Sequence, residues 1–174
     1  MQPAATRLCR GAGGAFQPGN TETPMHSGNC PLCNPENDHD VLWRNDKLRV
    51  VDAGEPDFPG FTRVIWNDHI AEMTDLDQQD RQSIMDAVWM VESVMRHELM
   101  PVKVNLAQFG NYVPHVHWHV IPRWPLDSRY PDAVWAPARE RSFEQQLAWD
   151  VFREQQANLL TSYHATLRDV LDTL

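Results

Sequence analysis

The sequence predicts one α+β domain in which a long helix packs across an antiparallel sheet, with C-terminal helices added. Three observations predict this fold. Short segments rich in β-branched and aromatic residues occur in two pairs, and one long amphipathic segment separates the pairs. The last part of the chain again shows helical spacing of its apolar residues.

The first predicted strand pair spans residues 48–53 (LRVVDA) and 61–66 (FTRVIW). Both segments are short and contain the residue types that favour strands. Between them lies GEPDFPG, a cluster of proline and glycine that is typical of a turn. We therefore expect two neighbouring antiparallel strands.

One amphipathic helix is predicted between the strand pairs. Its apolar face repeats at steps of four, three, four and four residues. These positions are Ile84, Val88, Val91, Met95 and Leu99. Thr74 or Asp75 can cap the start, and Pro101 closes the end.

The second strand pair spans residues 102–109 (VKVNLAQF) and 115–121 (HVHWHVI), joined by the turn GNYVP. Pro122 cannot donate a ladder hydrogen bond, so the last strand is expected to end there. From about residue 138 onward, Leu160, Tyr163 and Leu167 belong to an apolar repeat at helical spacing. This repeat predicts one or two C-terminal helices.

The charge balance excludes a general polyanion binder. The chain has 24 acidic against 15 basic residues and a formal charge of -9, so it lacks the basic face that long nucleic acid requires. No apolar run approaches the ~20 residues that span a bilayer. The N-terminus lacks the apolar core of a signal peptide. We therefore expect a cytoplasmic protein with no membrane partner.

The chain divides into three predicted parts. Residues 1–27 are rich in glycine and proline and low in apolar bulk, which predicts a disordered or loosely packed tail. Residues 28–136 contain the predicted strands and the long helix, and we expect them to form one domain. Residues 137–174 are expected to form a C-terminal helical extension.

Three histidines alternate along the last predicted strand. Because successive side chains of a strand point to opposite faces, His115, His117 and His119 share one face at intervals of about 6.5 to 7 Å. The pattern fits a solvated strand that happens to carry histidines, and it also fits a catalytic metal site with imidazole ligands. The third interpretation is covalent catalysis, in which an imidazole attacks phosphorus and no metal is needed for the chemistry.

The pattern HVHWHVI followed by PR resembles the signature of the histidine triad (HIT) superfamily of nucleotide hydrolases and transferases. Upstream, VNLAQFGNYVPH and FPGFTRVIWNDHIAEMTDL are similar to the strands that precede the triad in that family. The resemblance covers roughly residues 28–136. It implies a homodimeric enzyme that takes a small-molecule nucleotide and needs no cofactor for its chemistry.

The resemblance also implies a role for individual residues. His117 would be the nucleophile on the α-phosphorus of a nucleotide, His119 would bind the phosphate and assist the leaving group, and His115 would orient the site. The implied substrate-binding residues are Asn105, Gly110, Asn111 and Asp52. The expected substrate is a nucleotide phosphoramidate or a dinucleoside polyphosphate.

The sequence departs from the family pattern at three places. Tyr112 stands where many members carry a Ser or Thr that touches the leaving group, so the leaving-group preference stays open. Residues 66–68 (WND) replace a common Pro-Lys segment, which removes a positive charge before His69. The third triad residue is His119 and not Gln, which argues against the related nucleotidylyltransferase branch.

A second candidate site begins with Cys30 and Cys33, whose CxxC spacing lets two thiolates reach one zinc ion. Alone, the pair also fits a redox function or two simply buried residues. The resemblance supplies two further ligands, His69 and His115, and so implies a structural zinc site. Zinc at His115 would prevent that imidazole from shuttling protons.

Two other classes of function remain open besides the enzyme. One is a nucleotide-binding or scaffold protein without useful turnover, and the other is a metal-dependent hydrolase. Trp135 follows the triad in a region that can reach the partner's site in dimeric relatives. We therefore single it out among the seven tryptophans, most of which are more simply core residues.

Overall fold

The computed structural model describes residues 30–34 and 40–174, so the tail predicted for residues 1–27 lies outside the described residues. One five-stranded antiparallel sheet has the order β1-β2-β3-β5-β4. Its strands are β1 (Val41–Arg44), β2 (Leu48–Asp52), β3 (Thr62–Trp66), β4 (Lys103–Gln108) and β5 (His117–Arg123). The helices are α1 (Gln78–Glu98) and α2 (Phe143–Leu171). The predicted α+β class, with one long helix across an antiparallel sheet, is confirmed.

Both helices pack on one face of the sheet and form the main core with it. The five residues predicted for the apolar face of α1 are all buried. They share this core with Val64 of β3 and Val120 of β5, while Tyr163 and Leu167 add the contribution of α2. Because side chains alternate along a strand, the histidines of β5 point to the opposite face.

The start of α1 differs from the prediction. Asp77 caps the helix by accepting a hydrogen bond from the backbone N–H of Asp80 at 2.8 Å. Thr74 and Asp75, the predicted caps, lie in a preceding 3₁₀ turn. Leu76 is buried and has an extended backbone, so the helical conformation is interrupted between that turn and α1. The cap prediction was therefore wrong by two to three residues.

Strand β5 also runs past Pro122 to Arg123, which corrects the predicted end. The backbone N–H of Trp66 donates to the Val116 carbonyl, so even-numbered residues of β5 direct their backbone polar groups toward β3. The β3 partner residues end opposite Val120. Pro122 therefore lies beyond the end of β3, where β3 offers no carbonyl to which a backbone N–H at this position would have to donate.

The C-terminal region forms one helix, α2, whereas the sequence predicted either one or two helices there. Ser142 and Gln145 begin α2 with a reciprocal capping box. Further along, the Tyr163 hydroxyl lies 2.7 Å from the Thr62 hydroxyl of β3, which ties the helix to the sheet. Within residues 30–34 and 40–174, no helix has the length and apolar character to cross a membrane.

Candidate functional site

Strand β5 carries His117 and His119 on the sheet face away from the helices. The register places His117 opposite Ile65 and His119 opposite Arg63 on β3. Each of the two histidines is only 8% exposed, and His115, just before the strand, is fully buried. A solvated strand that happens to carry histidines is therefore excluded, because all three imidazoles are withdrawn from water.

The ring of His117 has a fixed tautomer. Its Nδ1 lies 2.7 Å from the backbone carbonyl oxygen of His115. A carbonyl oxygen can only accept, so Nδ1 carries the proton and Nε2 keeps its lone pair. Burial lowers the pKa of His117 below its ordinary value, although the bond to the His115 carbonyl acts in the opposite direction. The result is a neutral imidazole with one unprotonated nitrogen, as a nucleophile requires.

His119 lies among other rings. Its ring centroid is 4.8 Å from that of His117, 5.5 Å from Phe61 and 5.7 Å from Trp135. Burial, reinforced by His117 and by the positive charge of Arg63, lowers the pKa of His119 to about 3. Its Nδ1 is buried and has no hydrogen-bond partner among the described residues. His119 is thus a neutral group with an unused ring nitrogen.

A cavity of about 490 Å³ opens over His117 and His119. Its other lining residues are Phe109, Gly110, Asn111, Tyr112, Val113 and Trp135. The structure thus brings Gly110 and Asn111 to the triad. Aromatic walls around a few polar groups are typical of small-molecule sites.

Trp135 reaches this cavity through the loop that follows β5. Arg123, the last residue of β5, forms a buried ion pair with Asp127 at 2.8 Å and donates to the Asp132 carbonyl at 2.9 Å. These bonds fix the loop, and the Trp135 ring then packs edge-on against Phe109 at 4.5 Å. Trp135 therefore lies at the triad of its own chain.

Asn105 lies on the face of the triad but outside the cavity over the histidines. It sits opposite Ile121 in the β4–β5 register, and its amide oxygen accepts a 2.8 Å hydrogen bond from Arg123. It lines a separate depression together with Trp135. Its amide is held in one orientation because the Arg123 guanidinium can bind only the oxygen end.

The structure does not bring Asp52 to the triad. Asp52 lies opposite Thr62, which lies opposite Val120, and this row of side chains faces the helices. Its Oδ2 is 3.1 Å from His164 Nε2 on α2, and it lines a different cavity of about 510 Å³. Asp52 therefore lies outside the cavity over His117 and His119.

The four predicted metal ligands come together. One ligand atom from each of Cys30, Cys33, His69 and His115 lies within 4.8 Å of the other three. Cys33 Sγ is 3.3 Å from His69 Nδ1 and 3.5 Å from His115 Nδ1. Burial and then Cys30 raise the pKa of the Cys33 thiol to about 11, and a divalent cation would reverse this by binding the thiolate. Two thiolates and two imidazoles are a ligand set that zinc prefers, and the cluster can bind a metal ion.

Both ring nitrogens of His115 are engaged away from the cavity. Nε2 lies 2.6 Å from the Trp66 carbonyl oxygen, so it carries the proton and donates it. Nδ1 is therefore unprotonated and faces the two cysteines. When a histidine binds a metal through one ring nitrogen, a backbone carbonyl of this kind usually accepts the hydrogen bond of the other. The three imidazoles consequently do not converge on one point, and the contribution of His115 to His117 is its backbone carbonyl.

A family model for the HIT domain matches residues 34–126, which is just over half of the chain. The chain belongs to the HIT family. Many solved HIT proteins share its fold, and histidine triad proteins from Bradyrhizobium japonicum and Marinobacter aquaeolei VT8 are examples. The first has 23% identity, a TM-score of 0.54 and covers 68% of this chain and 91% of its own. The second has 22% identity and a TM-score of 0.53, and the match covers 70% of this chain and 90% of the other.

A HIT family member from Bacillus subtilis has 20% identity and a TM-score of 0.54, with 71% of this chain and 94% of its own covered. No curated protein matches the chain. At these identities the comparison with solved structures concerns the fold of this HIT protein and not its substrate.

Sequence reasoning missed three residues of this HIT site. Arg63 faces His119 from the neighbouring strand, Phe109 forms a wall of the cavity, and Arg123 fixes the loop that carries Trp135. For Arg123 a signal was present, since the PR that follows HVHWHVI belongs to the quoted motif, and a buried arginine needs a buried partner. For Arg63 the signal is the strand register, which local sequence patterns do not supply.

Proposed function

We propose that this HIT protein hydrolyses a nucleotide phosphoramidate or a dinucleoside polyphosphate, or transfers its nucleotidyl group, through a covalent nucleotidyl-His117 intermediate in the cytoplasm. The observation that carries the proposal is the hydrogen bond from His117 Nδ1 to the His115 carbonyl. It leaves Nε2 as a free nucleophile at the base of a cavity large enough for a small molecule.

In the proposed first step, His117 Nε2 attacks the α-phosphorus and the bond to the leaving group breaks, with its electron pair passing to the leaving atom. An anhydride releases a phosphate anion, and a phosphoramidate releases an amine that takes a proton from water. The imidazole gains positive charge as the P–N bond forms, and the His115 carbonyl stabilises that charge through the Nδ1 proton. His119 binds a non-bridging oxygen with its ring N–H, and the backbone at Gly110 and Asn111 approaches the phosphate. Water then cleaves the P–N bond and releases the nucleoside monophosphate.

We also propose that Cys30, Cys33, His69 and His115 hold a structural zinc ion. Bound there, zinc would join the segment around the cysteines to the strand that carries the triad. The Arg49 guanidinium supports the same attachment by donating to the Leu32 carbonyl at 2.6 Å. In this proposal, zinc acts on stability and on the position of the His115 carbonyl.

A homodimer is proposed as the assembled form. Among the strands that the structure describes, β4 lies at the edge of the sheet, and none of them pairs with its outer side, which a second copy can use. Leu106 on this strand and Phe109 just after it are partly exposed apolar side chains. Sedimentation or light scattering at several concentrations gives the oligomeric state, and a monomer at all concentrations contradicts the proposal.

Replacing the nucleophile tests the proposed enzyme. His117→Ala should abolish hydrolysis of adenosine 5′-phosphoramidate and diadenosine polyphosphates, because the other groups of the site cannot replace the attacking nitrogen. The matched control is His97→Ala, which removes a largely exposed imidazole from α1. Near-normal hydrolysis by His117→Ala overturns the mechanism, and nucleotide binding without any product from the native protein favours a scaffold function.

A further inference from the structure

Arg63 provides a fixed positive charge beside the triad. It lies directly opposite His119 in the β3–β5 register, so its side chain and the imidazole share one face of the sheet. Both residues line a second cavity, of about 320 Å³, on the side of His119 that faces β3. Phe61 and Trp135 form apolar walls of this cavity.

The guanidinium of Arg63 is only weakly engaged. It lies over the Phe61 ring at 5.4 Å, and its nearest carboxylate, Glu55, is 4.0 Å away, which is beyond hydrogen-bond distance. Its Nε is buried and has no hydrogen-bond partner among the described residues. By contrast, Arg129 in the same cavity donates to Asp57 at 3.1 Å and to a backbone carbonyl at 2.9 Å. Arg63 is therefore the cation of this cavity whose N–H groups remain available to a ligand.

The two candidate leaving groups make different demands on this part of the site. An amine that leaves a phosphoramidate must receive a proton, whereas a phosphate that leaves an anhydride departs as a stable anion. His119 is a poor proton donor because burial lowers its pKa to about 3. A guanidinium cannot donate its proton at neutral pH, yet it binds phosphate oxygens through two parallel N–H groups. Glu55 and Asp57 also line the cavity, but Asp57 is paired with Arg129 and Glu55 lies 4.0 Å from Arg63. Arg63 can therefore bind a phosphate that leaves as an anion, whereas the cavity offers a leaving amine only the weakly acidic Arg63 and the poor proton donor His119.

We propose that Arg63 binds the phosphate of the leaving group, and that the site consequently prefers phosphoanhydrides to phosphoramidates. This proposal rests on the proposed function and names its substrate class. As the P–N bond to His117 forms, the bond between phosphorus and the bridging oxygen breaks. The electron pair stays on that oxygen, and the guanidinium compensates the charge of the departing phosphate. Water then cleaves the P–N bond, which restores His117 and releases the nucleoside monophosphate and one proton.

The first test compares two substrates that share the adenylyl group, diadenosine triphosphate and adenosine 5′-phosphoramidate. Arg63→Gln should lower kcat/KM for the anhydride by about 10- to 100-fold, the range of a charged hydrogen bond, and change the phosphoramidate by less than about threefold. Arg63→Lys should recover part of the loss. The matched control, Arg153→Gln at an exposed position of α2, removes the same charge and should change the kcat/KM of neither substrate. Equal losses for both substrates, or no loss, overturn the proposal.

The second test measures binding and needs no turnover. In the His117→Ala background, ADP should bind at least about tenfold more tightly than AMP, because its second phosphate occupies the position of the leaving group. Adding Arg63→Gln should remove that advantage. Equal affinities for ADP and AMP, or an advantage that survives Arg63→Gln, overturn the subsite. If the native protein hydrolyses neither substrate but the ADP advantage depends on Arg63, the subsite is supported and the proposed hydrolase fails.

Discussion

Removing one imidazole from the Cys30/Cys33/His69/His115 cluster should cost the protein much of its thermal stability. In a tetrahedral site with Zn–S near 2.3 Å and Zn–N near 2.0–2.1 Å, sulfur and nitrogen ligands lie about 3.6 Å apart. The corresponding distances in the structure are 3.3, 3.5 and 3.6 Å. The cluster is therefore arranged for zinc with little movement, and His69→Ala removes one of the four ligands.

The size of the effect follows from binding linkage. Free zinc at a thousandfold above its dissociation constant stabilises the folded state by about 4.1 kcal/mol. For a chain of this length, each kcal/mol shifts the melting temperature by about 2–4 °C, which gives a difference of about 8–16 °C. We expect His69→Ala to lose most of that difference, because three ligands bind zinc far more weakly than four.

Thermal melting of the two proteins, with and without a chelator, measures this effect, and elemental analysis gives the zinc content. The native protein should contain about one zinc per chain and melt lower with the chelator, whereas His69→Ala should contain little zinc and respond weakly. His97→Ala, which removes a largely exposed imidazole, should behave like the native protein. A His69→Ala variant that retains both its zinc and its melting temperature would show that His69 is not a ligand of a structural zinc ion.

Three further predictions concern the cavity, the pH dependence and the core. Trp135→Ala should lower kcat/KM for a nucleotide by about 5- to 150-fold in steady-state kinetics, because aromatic stacking on a base contributes about 1–3 kcal/mol. Trp89→Ala, at a half-exposed position of α1, should leave kcat/KM unchanged. Acidification from pH 7 to 5 should lower the unfolding free energy by roughly 1–2 kcal/mol through His119, since the unfolded chain takes up a proton that the folded site excludes. Urea unfolding of His119→Asn should show a pH dependence smaller by that amount, and an unchanged dependence contradicts the assignment. Leu167→Ala should lower the unfolding free energy by about 2–5 kcal/mol and Leu147→Ala by less than about 0.5, since the first is fully buried and the second largely exposed; comparable losses in urea unfolding would contradict the packing of α2 on the core.

The long amphipathic helix could be predicted from the sequence, whereas a short strand and the helix cap could not. All five residues predicted for the apolar face of the long helix are buried, because burial against a sheet imposes a helical spacing on apolar residues. Ala87 and Val94, which are also buried on α1, were not predicted. Strand β1 was missed, since VLWR is four residues long and shows too little alternation to stand out. The helix cap was misplaced because Thr74, Asp75 and Asp77 are all good capping residues, and the burial of Leu76 decided among them.

The candidate site could be predicted only in part, for a geometric reason. His117 and His119 share a face because alternation along one strand is a local property. The approach of Arg63 to His119 depends on how two strands pair, and that of Trp135 depends on a loop fixed by Arg123. Asp52 was predicted to bind substrate from its place near the end of a strand. Side chains alternate along β2, and that of Asp52 lies on the face that contacts α2. These relations arise from tertiary structure, which short motifs do not encode.

Mass spectrometry of the protein after rapid mixing with diadenosine triphosphate and an alkaline quench tests the nucleotidyl-His117 intermediate itself. If His117 is the nucleophile, the protein gains the mass of one adenylyl group transiently, on the peptide that contains His117, and the His117→Ala variant does not. Turnover without any such adduct, or an adduct that persists in His117→Ala, would exclude the intermediate.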